Sequence, residues 1–131
     1  MLQMPNITAI FVALHAILLL ALAYRVVAMR RGLKIGLGDG AQELVQQRIR
    51  AHANATEYVP VALIELLLLE LMGVPALWLY VAGTTLLVGR MLHAAGLSRT
   101  SGYSFGRFSG TLLTWLSMLG MVVALLVYAL R

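Results

Sequence analysis

Arg50, Asn54 and Glu57 are spaced so that a helix would gather them onto one stripe. At 100° per residue they fall within about 60° of one another. Glu43 and Gln47 extend the stripe one way and Glu65 continues it roughly the other way, while Arg48 and His52 lie on the far side. Arginine can grip a carboxylate through two N–H groups, glutamate suits an ammonium, and asparagine supplies donor and acceptor together. Later in the chain Arg90 and His93, three apart, share another face, with Leu97 following. The bland alternative is that Arg50 pairs with Glu57 and Asn54 bonds across a helix interface only to hold a bundle together. Periodicity leaves both readings open.

What must position these groups is apolar. Of 131 residues, 61% are hydrophobic and only 11% charged, against about 25% charged in an ordinary soluble domain. Such a chain has too little polar surface to cover a core in water, so it is an integral membrane protein. Ionisable groups at membrane depth are expensive, which makes the polar stripe a functional question. With no cysteine in the sequence, disulfides and thiolate metal sites are excluded. The net charge is +5, but the basic residues cluster at a few places. That pattern reports membrane orientation and argues against a nucleic-acid partner.

The spacing predicts a single domain and an all-α, four-span bundle, with helices over about 7–29, 41–72, 75–97 and 107–130. The first, third and fourth apolar runs each reach the roughly 20 residues needed to cross the hydrocarbon unaided. The second, Tyr58–Met72, does so only if its helix begins in the polar stretch before it. The start MLQMPN has no basic n-region, so the first run reads as a retained span. GLKIGLGDG (Gly32–Gly40) and SRTSGYSFG (Ser98–Gly106) are loop chemistry, and Gly73-Val-Pro75 is a tight turn. Arg30, Arg31, Lys34, Arg48, Arg50, Arg99 and Arg107 fall on one side, and Arg131 on the other. The positive-inside rule then places the basic loops in the cytoplasm and both termini outside. Glycines 83, 89, 110 and 120 allow close helix contact.

The remaining membrane-depth groups read as structural. His15 is a core histidine, and Arg25 snorkels from the end of its helix. Glu65 is expected to pair across a helix interface and Glu70 to reach the opposite surface. Trp78 and Trp115 read as interface or packing residues. Glu65, Glu70 and the histidines form no continuous stripe across the four helices, which disfavours a transporter or proton path.

Taken together, Arg50-Ala-x-x-Asn54-x-x-Glu57-Tyr58-x-Pro60 resembles the second-helix signature of the MAPEG family, the membrane-associated proteins in eicosanoid and glutathione metabolism. Length, four spans, a basic first loop and Arg90-x-x-His93 late in the third helix fit the same family. The resemblance implies a homotrimer of four-helix bundles, with glutathione bound between adjacent subunits near the cytoplasmic face; the expected location is a bacterial inner membrane. Arg50, Asn54, Glu57 and Tyr58 match its glutathione-contacting positions. Arg30 or Arg31 matches the basic residue closing the first helix, and Arg90 and His93 match the third-helix pair. Arg107 matches the arginine facing the glutathione sulfur, with Arg99 the alternative and His93 or Tyr103 as helpers. Two departures stand out: Leu97 occupies a position where catalytic relatives carry tyrosine, and Ala53 replaces an arginine of the prostaglandin E synthase branch.

Glutathione carries two carboxylates, an ammonium and a thiol, and the stripe matches those charges in kind. The resemblance therefore implies a glutathione transferase, with peroxidase activity also open to it, acting on a lipophilic second substrate from the bilayer. A non-catalytic accessory protein of the same fold is the second expectation. No metal is expected.

Overall fold

The structure, a computed structural model, describes residues 4–100 and 102–130; Arg131 lies outside them. The described residues form four helices: α1 (Asn6–Gly32), α2 (Glu43–Leu71), α3 (Ala76–Arg99) and α4 (Phe105–Ala129). Among the described residues there is no strand. Helix α1 packs on α2 and α3, and α4 packs on α3 and α2, so that α2 and α3 form the centre of the bundle. α1 presents one buried stripe, Thr8, Phe11, His15, Leu22 and Val26, while most of its other side chains are exposed. Outward apolar residues such as Ile17, Leu20, Leu119 and Val123 suit a helix whose surroundings are lipid.

The apolar lengths of the helices differ in a way the sequence blurs. α1 and α4 are long and apolar enough to cross a membrane, with mean hydropathies of 2.4 and 2.2. In α3, Arg90 and His93 interrupt the apolar run. Its polar groups are buried instead: Arg90 is 1% exposed and His93 7%.

Two local devices fix the register. Gly73 takes φ +80°, and its N–H and that of Val74 return to Glu70 O and Leu69 O. This glycine-terminated helix end lets α3 start within a few residues. Glu70, near the end of α2 that lies away from the basic loops, is 2% exposed. Its carboxylate accepts from the Ile7 N–H at 2.9 Å and the Thr8 N–H at 2.7 Å. Those are orphan donors of the first turn of α1, where negative charge is favoured. Helix α1 has no capping side chain of its own; α2 supplies it.

Helices α3 and α4 meet backbone to backbone. A Cβ on Gly110 would lie 2.5 Å from Gly89 O and from His93 N, and one on Gly96 would lie 2.6 Å from Arg107 N. Small residues are what allow such an approach between membrane helices. Gly83 makes similar room for the Phe11 ring, whereas Gly120 faces open space and serves no close contact.

Candidate functional site

The polar stripe opens onto a cavity of about 250 Å³ at the end of the bundle that carries the basic loops. Helix α2 contributes Glu43, Gln46, Gln47, Arg50 and Asn54; α3 contributes His93 and Leu97; α4 contributes Arg107. Four of the residues singled out in the sequence, Arg50, Asn54, His93 and Arg107, therefore line one cavity. Ser104 places the last of them. It caps α4 by accepting from Arg107 N at 3.2 Å, while Arg107 Nη1 donates to Gly102 O at 2.7 Å. Arg99, the alternative to Arg107, is exposed at the end of α3 and does not line the cavity.

A second opening adjoins the first. A groove of about 630 Å³ runs along α4, lined by Tyr103, Phe108, Leu112 and Trp115, and it also includes His93 and Arg107. Those two residues are common to both spaces. One side is polar and the other aromatic and aliphatic.

Four expected ligand contacts lie off the cavity of a single chain. Arg30 Nε donates to Gly38 O in the loop that follows α1, and Arg31 is exposed. Glu57 sits 3.8 Å from Arg50, with the two side chains 54% and 55% exposed. The pair exists, yet it does not seal Arg50 away, because Arg50 still lines the cavity. Tyr58 lies beneath Arg90, whose Cζ is 5.2 Å from the ring centroid, and its hydroxyl accepts from Trp115 Nε1 at 3.2 Å. Trp115 thus does more than pack.

Arg90 is the most enclosed of the set. Its Nε donates to Thr114 Oγ1 at 3.0 Å. Its Nη1 donates to Asn54 Oδ1 at 2.7 Å and to Asn54 O at 3.4 Å, while Nη2 is buried with no hydrogen-bond partner among the described residues. One guanidinium thereby joins α2, α3 and α4. Thr114 and Gln46 carried no signal in the sequence: a threonine in an apolar run and a glutamine beside another glutamine are ordinary.

Other buried polar groups stay away from this end. His15 lies 2.7 Å from Phe11 O through Nδ1. Glu65, expected to pair across an interface, is 8% exposed and its Oε2 meets no partner among the described residues. An apolar recess of about 470 Å³ between α3 and α4 near Trp78 and Tyr128 touches none of the candidate site residues. No group of three or more metal-ligating side chains occurs among the described residues.

A four-helix membrane bundle with a polar, arginine-bearing cavity at its basic end is the class these observations define. The model of the MAPEG family matches residues 8–127, and the chain belongs to that family. It is 34% identical over 122 residues to inner membrane protein YecN of Escherichia coli strain K12, covering 93% of this chain and 92% of the relative. The YecN of Escherichia coli O6:H1 matches with the same identity and coverage.

Proposed function

We propose that the chain is a membrane-bound glutathione transferase that joins the glutathione thiolate to a lipophilic electrophile, with glutathione peroxidase chemistry open to the same thiolate. The observation that carries this reading is that His93 and Arg107 line both the polar cavity and the aromatic groove. A charged tripeptide in the first and an apolar partner in the second would meet at one guanidinium. Arg50 suits a ligand carboxylate and Asn54 a peptide group or carboxylate.

A free thiol has a pKa near 8.5, and the thiolate is the nucleophile. A guanidinium beside the sulfur favours the ionised form. Lowering that pKa by about two units corresponds to roughly 2.7 kcal/mol, within reach of one arginine in a low-dielectric site. Arg107 takes that role, and the sulfur lone pair then attacks the electrophilic carbon, forming a thioether as the carbon–halogen bond of an aryl halide breaks and halide leaves with its electron pair.

In this reading the protein sits in a bacterial inner membrane, with the basic loops and the cavity facing the cytoplasm and both termini outside. It works as a homotrimer, and glutathione lies between adjacent subunits. Arg30 then reaches the ligand from a neighbour, and the half-exposed Glu57 faces the ammonium at the joint. The second reading is a non-catalytic protein binding glutathione or lipid, and Leu97 favours it, because hydrocarbon stands in the cavity wall where catalytic relatives carry a phenol. Conjugation of glutathione to a lipophilic aryl halide by the purified protein separates the two. The transferase reading predicts turnover that Arg107→Ala removes; glutathione binding without turnover supports the accessory reading.

A further inference from the structure

Arg90 is too deeply enclosed to meet a ligand, yet it decides what Asn54 offers to one. A guanidinium has five N–H donors and no acceptor. The carboxamide atom 2.7 Å from Arg90 Nη1 must therefore be oxygen, which settles the amide orientation chemically. The Asn54 backbone carbonyl accepts from the same nitrogen at 3.4 Å, so the side chain is held close to its own backbone on the α3 side. Its Nδ2 has no hydrogen-bond partner among the described residues, and Asn54 lines the polar cavity. Thr114 holds the far side of the guanidinium through Nε, and the Tyr58 ring lies under it.

From this geometry we infer that Arg90 is a positioning residue that locks Asn54 as a hydrogen-bond donor into the cavity, selecting a ligand that presents a carboxylate or carbonyl oxygen there. The inference rests on the glutathione reading for the identity of that ligand. Arg90 itself makes no contact with it. Without Arg90 the amide is free to turn its oxygen to the cavity, and donation becomes one orientation among several.

The test is a double-substitution cycle read by glutathione affinity on the detergent-purified full chain: wild type, Arg90→Met, Asn54→Ala and both together. Each single change is expected to weaken glutathione binding about tenfold, and the double change also about tenfold rather than a hundredfold, because both remove the same donor. Thr114→Val, on a residue that does not line the cavity, repeats the cycle with a gentler change should Arg90→Met not fold. Its smaller loss should likewise vanish in the Asn54→Ala background. The thiolate pKa of bound glutathione should stay unchanged in every variant, because the sulfur is assigned to Arg107. Losses that add in full would overturn the inference and leave the transferase reading intact, since Arg90 would then act on the ligand directly or through the fold. Wild-type protein that binds no glutathione would overturn the functional reading and this inference with it.

Discussion

Glu70 accepts the backbone N–H of Thr8 at 2.7 Å, across 62 positions of sequence. With the Ile7 N–H on its other oxygen, one carboxylate closes the first turn of α1 from the end of α2. A cap and a buried charge at a helix N-terminus together stabilise by about 1–3 kcal/mol. Glu70→Ala is therefore expected to lower the thermal midpoint in detergent and to loosen α1, read as faster amide exchange at Ile7 and Thr8. An unchanged midpoint would contradict this assignment.

The glycine crossing of α3 and α4 separates two substitutions of identical chemistry. A methyl at Gly110 would meet backbone atoms of Gly89 and His93 at 2.5 Å, while one at Gly120 meets nothing within 4 Å. Backbone cannot yield as a side chain does, so Gly110→Ala should destabilise by about 1–3 kcal/mol and displace His93 from Arg107. Gly120→Ala should be neutral. Urea or SDS unfolding of the two variants compares them directly, and equal effects would be the adverse result.

Arg50 and Glu57 form an exposed pair at 3.8 Å, with both side chains more than half exposed. Such pairs contribute about 0–1 kcal/mol. Arg50→Ala should leave the unfolding midpoint nearly unchanged while weakening glutathione binding, because Arg50 lines the cavity. A large loss of stability with no loss of binding would return the pair to a purely structural role.

The four helices were legible in the sequence because their apolar runs are interrupted by glycine, proline and charge in short, separate stretches. The stripe of Arg50 and Asn54 was legible because a helix has a fixed period and the residues around it are apolar. The burial of Arg90 was not. Its environment is built by Asn54 from α2 and Thr114 from α4, and no local pattern around position 90 announces either. The partners of Glu70 were hidden for the same reason: they are backbone groups of α1, and backbone donors leave no mark in a sequence. Leu97 stands in the cavity wall, so the departure from the tyrosine pattern falls within the site.

The central claim is that a guanidinium at the junction of the polar cavity and the aromatic groove holds glutathione as its thiolate. Ultraviolet difference absorbance during titration of glutathione into the purified protein, at a pH about one unit below the free thiol's pKa near 8.5, measures this directly. A saturable rise in thiolate absorbance that Arg107→Ala abolishes is the expected result. Glutathione bound with its thiol still protonated, or a thiolate signal unchanged by Arg107→Ala, would contradict it.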